Sequence, residues 1–129
     1  MFNKKKERIK ILVVEDDALL ARVLGESLSS ADFEVEIVAN GLEALDAAKK
    51  FRPRFILLDL ILPGLDGFGV LQQFKSDESV KDVPVAVLSN LNSPADVKSV
   101  KALGAEDYFI KANTEMRQII QFIKSRIRK

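Results

Sequence analysis

Five short apolar runs alternate with five amphipathic segments along this chain, and this alternation constrains the fold more than any other feature of the sequence. Runs of this kind, bounded by turn residues, are typical of strands that are buried on both faces. Strict alternation of strands and helices indicates a parallel sheet with helices on both faces. The 129 residues suit a single α/β domain. The predicted strands are residues 9–14, 35–38, 55–58, 85–88 and 108–110.

The segments between the predicted strands carry apolar residues at helical spacing, and the last segment has the most regular stripe. Ser93 and Pro94 suit the N-cap and first turn of the fourth helix, which is predicted to end near Gly104. The residues predicted to face the core are Leu20, Val23, Leu24 and Leu28 in the first helix, Leu45, Ala48 and Phe51 in the second, Leu71 and Phe74 in the third, and Met116, Ile119, Ile120, Ile123 and Ile127 in the fifth.

Polar residues stand at the ends of four of the predicted strands. Glu15 and Asp16 follow the first strand, Asp59 follows the third, Ser89 the fourth and Lys111 the fifth. Right-handed crossovers bring the carboxyl ends of parallel strands to one edge of the sheet, and ligands of open sheets bind at that edge. We therefore expect these side chains to form one site.

Each of these residues, taken singly, also has an ordinary structural explanation. Asp59 suits a strand end that faces solvent or caps a helix, Ser89 suits a turn, and an isolated lysine such as Lys111 is usually solvated. One of the three consecutive acids at residues 15–17 is expected to cap the first helix. Capping leaves the other two acids unexplained, which favours a shared site.

Acids from neighbouring strands repel one another and raise each other's pKa unless a cation lies between them. Mg²⁺ suits an all-oxygen site, and the chain has no histidine or cysteine that would favour zinc. A carboxylate beside Mg²⁺ can attack phosphorus to form an acyl phosphate. The metal and the ammonium of Lys111 would neutralise the phosphoryl oxygens, and the Ser89 hydroxyl would donate to another of them.

Composition excludes several classes of function. Without cysteine or histidine the chain has no thiol nucleophile, no Ser-His triad and no imidazole proton shuttle. Its net charge of +1 argues neither for nor against nucleic-acid binding, and the basic ends of the chain are expected to be solvated tails. It contains neither a membrane-length apolar run nor a signal-peptide pattern, so a soluble, cytoplasmic protein is expected.

Four motifs, VVEDD, DLILPGLDG, VLSN and YFIKA, resemble those of the response-regulator receiver domain of two-component signalling, at the same spacing. The resemblance extends from about Lys10 to the end of the chain. It implies a flavodoxin-like (βα)₅ three-layer sandwich whose parallel strands lie in the order 2-1-3-4-5. With the basic residues at the start of the chain, it predicts a basic N-terminal lead-in over residues 1–8 and a receiver domain over residues 9–129.

The resemblance assigns a role to each strand-end residue. Asp59 would be the phosphoacceptor, and Ser89 and Lys111 would bind the phosphoryl oxygens. Glu15 and Asp16 would hold Mg²⁺ together with Asp59 and the backbone carbonyl of Ile61. Tyr108 matches the family's switch aromatic, although an ordinary aromatic side chain on an edge strand is the alternative.

The resemblance also implies partners. A histidine kinase or a histidine phosphotransfer protein would be the phosphodonor, since the chain has no histidine of its own. A downstream protein would dock on the face built from helix 4, strand 5 and helix 5, where Phe122 is a candidate contact. We expect a stand-alone receiver similar to chemotaxis regulators, either a monomer or a phosphorylation-dependent dimer, with no direct nucleic-acid or membrane binding. It would catalyse only its own phosphorylation and slow dephosphorylation.

The chain departs from the family pattern at several positions. Leu62 replaces the usual Met, a volume-conserving change. Asn90 stands where a small residue is usual, and is expected to narrow the approach to Asp59 or to bond phosphate. Ala112 replaces a proline that is typically cis, so a trans bond is expected. Ile61 and Leu91 flank the path of hydrolytic water in the family, and their apolar side chains predict a long-lived phosphorylated form.

Three other classes of function are alternatives to a receiver. A pseudo-receiver would keep the fold as a binding module without phosphorylation, but this chain retains the acids, the hydroxyl and the lysine. A phosphatase of the haloacid-dehalogenase type wants a second Asp two residues after the first, where Ile61 stands. A flavodoxin-like flavin carrier needs a phosphate loop after strand 1, where three acids would repel the flavin phosphate.

Overall fold

The computed structural model describes residues 7–91 and 93–127. Five parallel strands form one sheet in the order β2-β1-β3-β4-β5, which confirms the predicted flavodoxin-like architecture. The strands are β1 (Ile9–Val14), β2 (Phe33–Val38), β3 (Phe55–Leu58), β4 (Val85–Ser89) and β5 (Asp107–Ile110). The helices are α1 (Ala18–Ser30), α2 (Ala44–Phe51), α3 (Gly67–Ser76), α4 (Pro94–Ala102) and α5 (Met116–Ile127). Short 3₁₀ turns cover Gly41–Glu43 and Lys111–Asn113.

Both ends of the chain are basic, and the sequence predicts that they are solvated tails. Residues 1–6 of the basic lead-in, and residues 128 and 129 of the basic end, lie outside the described residues. The boundary between a lead-in over residues 1–8 and a receiver domain over residues 9–129 therefore stays a prediction. Within the described part of the chain, none of the helices has both the length and the apolar composition needed to cross a membrane.

The sheet separates two apolar clusters, because side chains of a strand point alternately to its two faces. Ile56 and Leu58 of β3 face a cluster completed by α2, α3 and α4. Phe55 and Leu57 of the same strand face a cluster completed by α1 and α5. Burial of β3 on both faces explains why its sequence is uniformly apolar.

The helices contribute unequally to the cluster that α2, α3 and α4 complete. Four residues of α3 are buried: Gly67, Val70, Leu71 and Phe74. Within Pro94–Ala102, all of which the structure describes, Val100 is the one buried residue of α4. The α4 helix is therefore the more weakly anchored of the two.

The core differs from the prediction in detail. Val23 was predicted to face the core, but it is 41% exposed, and Ala21 packs inward instead with Leu24 and Leu28. The spacing of these three, three and then four residues apart, forms one helical face that excludes Val23. Phe122 is half-buried, since its ring packs edge-to-face against Phe55 and Phe109 at centroid distances of 6.0 and 5.3 Å.

The strand boundaries differ by one or two residues. The β2 strand begins two residues before the prediction, at Phe33, which is buried in the α1–α5 cluster. The β4 strand includes Ser89, and β5 begins one residue earlier, at Asp107.

Gly67 allows the first turn of α3 to approach the end of β3. Its N–H donates to the carbonyl of Leu60 at 2.8 Å, and a Cβ at this position would lie 2.3 Å from the carbonyl oxygen of Asp59. That distance is impossible without movement of the backbone. The glycine therefore keeps α3 and the segment around Asp59 in their observed relation.

Gly67→Ala is expected to lower the free energy of unfolding by about 1–3 kcal/mol, the usual range for overpacking. Urea unfolding followed by circular dichroism measures this change. Gly25→Ala is the matched control, because the added Cβ there would meet only the mobile Cδ1 of Ile37 at 3.2 Å. Alanine also favours the interior of α1, so the control is expected to be neutral or slightly stabilising. Equal effects of the two substitutions would contradict the steric explanation.

Candidate functional site

The strand order brings the polar strand ends together. In the sheet, β2 lies on one side of β1 and β3 lies on the other, so the direction of strand addition reverses at β1. Ligands of open sheets bind at such a point of reversal, beyond the carboxyl ends of the strands. Glu15 and Asp59 follow the two central strands there, Ser89 ends β4, and Lys111 follows β5.

Three carboxylates converge at this point of reversal. One oxygen from each of Glu15, Asp16 and Asp59 lies within 4.8 Å of the other two. Glu15 and Asp59 are buried, at 2% and 4% exposure, whereas Asp16 is exposed. This set of hard oxygen donors fits a divalent cation such as Mg²⁺.

Lys111 lies among these acids. Its Nζ is 2.9 Å from Oε1 of Glu15 and 2.9 Å from Oδ2 of Asp59. Burial alone would lower the pKa of Lys111, but its bonds to Asp59 and Glu15 outweigh burial and raise that pKa. The ammonium therefore bridges two carboxylates and stays charged.

Backbone groups fix the orientation of the acids. The N–H of Asp17 donates to Oε2 of Glu15 at 3.0 Å, and the N–H of Ile61 donates to Oδ1 of Asp59 at 3.3 Å. Asp17 itself caps α1 by accepting from the N–H of Leu20 at 3.1 Å. One acid of the three thus serves the helix, as the sequence predicted, and two remain for the site.

Ser89 and Tyr108 meet at the backbone of Leu91. Ser89 is fully buried, and its Oγ accepts a long hydrogen bond from the N–H of Leu91 at 3.4 Å. The hydroxyl of Tyr108 donates to the carbonyl oxygen of the same Leu91. Burial raises the pKa of the Tyr108 hydroxyl, and the charges of Asp96 and Asp59 raise it further. Tyr108 is thus a half-buried side chain whose hydroxyl is hydrogen-bonded to the segment that follows Ser89.

The structure shows the local surroundings of the residues that depart from the family pattern. Every peptide bond among the described residues is trans, including the one before Ala112, as expected. Leu62 packs against the cluster of α2, α3 and α4. The side-chain oxygen of Asn90 accepts the N–H of Ala112 at 3.1 Å. Nothing in the sequence near either residue indicates this last contact, because its partners lie 22 positions apart.

The raised pKa of Glu15 leads us to expect that cation binding depends on pH. Burial raises the pKa of its carboxyl, and the bonds from Asp17 and Lys111 only partly offset this effect. A raised pKa means that protons compete with a cation at a higher pH than for an ordinary glutamate. We expect the affinity for Mg²⁺, measured by calorimetry, to fall as the pH is lowered from neutrality towards 5.

The Glu15→Gln variant is expected to bind Mg²⁺ more weakly and with a flatter dependence on pH, because it lacks the carboxylate that is proposed to bind the cation and to take up a proton. The exposed Glu26→Gln substitution on α1 is the matched control and should leave the profile unchanged. A profile that stays equally steep in Glu15→Gln would show that another group governs the competition.

The fold and the site together define a class of α/β proteins. In this class a doubly wound parallel sheet carries an acidic pocket and a lysine at the carboxyl ends of its strands. A family model for the response regulator receiver domain matches residues 11–124. The chain belongs to this family, and it is a receiver domain of two-component response regulators, a signalling module.

Relatives and solved structures agree with this membership. The DNA-binding response regulator MtrA of Mycolicibacterium paratuberculosis is 34% identical over 122 residues, which are 95% of this chain and 52% of that protein. The phosphorylated cyanobacterial phytochrome response regulator RcpA is 34% identical, with a TM-score of 0.79 over 92% of this chain and 91% of that one. The receiver domain of the sensor histidine kinase PA1611 of Pseudomonas aeruginosa, with magnesium coordinated in its active-site cleft, is 27% identical. Its TM-score is 0.86 over 95% of this chain and 100% of that one. The chain spans about half the length of the curated relatives it matches.

Proposed function

We propose that Asp59 accepts a phosphoryl group from a phosphohistidine of a partner histidine kinase or phosphotransfer protein, in a Mg²⁺-dependent reaction. The observation that carries this proposal is the convergence of Glu15, Asp16 and Lys111 on Asp59. A buried carboxylate beside both a cation-binding pair and an ammonium suits a nucleophile for phosphorus. The phosphorylated and magnesium-bound relatives named above add support.

In the proposed transfer, an oxygen of Asp59 forms a bond to phosphorus while the bond from phosphorus to the donor's imidazole nitrogen breaks. The imidazole nitrogen keeps the electron pair of that bond. Glu15 and Asp16, with Asp59 and the carbonyl of Ile61, would hold the metal, which when bound neutralises charge on the phosphoryl oxygens. The Lys111 ammonium, already 2.9 Å from Asp59, would pair with a second phosphoryl oxygen.

Ser89 and Tyr108 would transmit the change. The Ser89 hydroxyl would donate to a phosphoryl oxygen and so move the end of β4. Because both side chains bond the backbone of Leu91, a displacement of this segment alters the acceptor of the Tyr108 hydroxyl. The face of α4, β5 and α5 would then change shape and bind a downstream protein.

The proposal extends to location, assembly and nucleic-acid binding. We propose that the protein acts in the cytoplasm, as a monomer or a phosphorylation-dependent dimer, and does not bind nucleic acid directly through this domain. The relative MtrA is named as DNA-binding, but this chain spans only about half of that protein. Beyond its own phosphorylation and slow dephosphorylation, we propose no enzymatic activity.

Incubation of the protein with acetyl phosphate and Mg²⁺, read by intact mass, tests the proposal. One added phosphoryl group is expected, and an excess of chelator should prevent its addition. A protein that stays unmodified under these conditions while binding Mg²⁺ would instead be a pseudo-receiver, a binding module that is not phosphorylated. Addition that is indifferent to the chelator would contradict the role of the acid cluster.

The side chains beside the proposed phosphorylation site predict the lifetime of the modification. Ile61 is 58% exposed and Leu91 is half-buried, and neither side chain can orient a water molecule for attack. We expect the acyl phosphate to persist for minutes or longer after the donor is removed, as followed by intact mass in Mg²⁺ buffer. Ile61→Asn supplies a polar group at the same position and is expected to shorten the lifetime. Loss of the phosphoryl group from the unaltered protein within seconds would contradict this prediction.

A further inference from the structure

Two departures from the family pattern contact each other beside the acid cluster. In the parallel pairing of β4 with β5, Ser89 lies opposite Ile110. The next residues, Asn90 and Lys111, therefore leave the sheet side by side. Asn90 then reaches one residue further and accepts the N–H of Ala112 with its side-chain oxygen at 3.1 Å. This hydrogen bond joins the segment after β4 to the segment after β5.

The backbone around Lys111 needs such a partner. A 3₁₀ turn covers Lys111–Asn113, and its preceding residue, Ile110, provides no side-chain cap. The first N–H groups of a helical turn have no acceptor within that turn. Asn90 supplies an acceptor from another loop. On the other side of Lys111, the Thr114 hydroxyl donates to the carbonyl oxygen of Ile110 at 2.7 Å.

We propose that Asn90 is a positioning residue for Lys111, an inference that rests on the proposed phosphorylation of Asp59. Asn90 holds the peptide that follows Lys111, and thereby directs the ammonium to the midpoint between Glu15 and Asp59. The bond exists because residue 112 is not proline and so has an N–H. The hydrogen bond therefore depends on both positions, since it needs the side-chain oxygen of Asn90 and the backbone N–H of Ala112.

Asn90→Leu tests the hydrogen bond, because leucine has the same number and branching of heavy side-chain atoms as asparagine but offers no acceptor. Ala112→Pro removes the donor. Each substitution is expected to lower the maximal rate of phosphoryl uptake from acetyl phosphate about three- to tenfold, the range for loss of one hydrogen bond. The double variant is expected to be no slower than the slower single variant, because both changes remove the same bond.

Three further measurements separate positioning from a general structural effect. In Asn90→Leu the melting temperature is expected to stay close to that of the unaltered protein, since the core is untouched. Its Mg²⁺ affinity is expected to stay equal or to rise, because a displaced Lys111 ammonium competes less with the metal. Hydrogen exchange at the Ala112 amide, followed by NMR, is expected to accelerate in Asn90→Leu. Such a pattern places the loss in the rate of the reaction rather than in folding or metal binding.

The outcomes distinguish this inference from the proposed function. If the unaltered protein takes up a phosphoryl group and Asn90→Leu does so at the same rate, the positioning role is wrong and the proposed function stands. Fully additive effects in the double variant would also overturn it, because independent effects cannot come from one shared bond. If the unaltered protein takes up no phosphoryl group at all, the proposed function fails and this inference fails with it.

Discussion

Asp59→Asn is expected to reduce phosphoryl incorporation from acetyl phosphate to an undetectable level. The side-chain amide keeps the size of the carboxylate but is not a nucleophile at neutral pH, so no acyl phosphate can form. Intact mass after incubation with Mg²⁺ and acetyl phosphate measures the effect. A phosphoryl group on the variant would mean that another residue accepts it.

The loss should not come from unfolding. Asp59 is one of two buried acids that share the single ammonium of Lys111, so its neutralisation relieves repulsion and leaves Lys111 paired with Glu15. The melting temperature of Asp59→Asn is therefore expected to equal or exceed that of the unaltered protein. The exposed Asp46, which pairs with Lys50 at 3.2 Å on α2, provides the matched control, since Asp46→Asn should incorporate phosphoryl normally.

Lys111→Met is expected to change metal binding and phosphorylation in opposite directions. The ammonium occupies the space between two proposed metal ligands and would therefore repel a cation bound by them. At about 4 Å, two like unit charges repel by about 4 kcal/mol at an effective dielectric constant of about 20. Its removal should raise Mg²⁺ affinity at least about tenfold. The rate of phosphoryl uptake should fall by about 10²–10³, because charge that develops on the phosphoryl oxygens loses its fixed cation.

Calorimetry and intact-mass kinetics on the same preparation measure the two effects. Lys75→Met is the matched control: burial lowers the pKa of this lysine, and its ammonium donates to the carbonyl oxygens of Lys81 and Val83 rather than to the acids of the site. That substitution should reduce stability while leaving both quantities unchanged. If Lys111→Met weakened metal binding, the proposed competition between ammonium and metal would be wrong.

Much of the fold and the location of the site could be predicted from the sequence. The alternation of apolar runs with helical stripes implies a parallel sheet, and a parallel sheet brings strand-end residues such as Asp59 and Lys111 to one edge. The strand order came from the family resemblance, because many orders are compatible with the same alternation. Local chemistry also predicted that one of the three acids caps α1.

Features that depend on tertiary contacts escaped sequence analysis. Apolar residues occupy a wide arc of α1, and only packing selects Ala21 over Val23 for the core. The bond between Asn90 and Ala112 joins residues 22 positions apart. In the sequence these two departures look independent, since nothing local to either one indicates that the amide oxygen of the first meets the N–H of the second.

The weak anchoring of α4 sets the energy scale of any rearrangement. Full burial of a valine side chain contributes about 1.5–3 kcal/mol, so lifting Val100 out of the core requires a free energy of that order. Coupling between two sites of a protein typically amounts to about 1–3 kcal/mol. The coupling free energy from a single charged group added at the edge of the sheet is thus comparable to the free energy by which Val100 anchors α4. The four buried residues of α3 would resist the same perturbation.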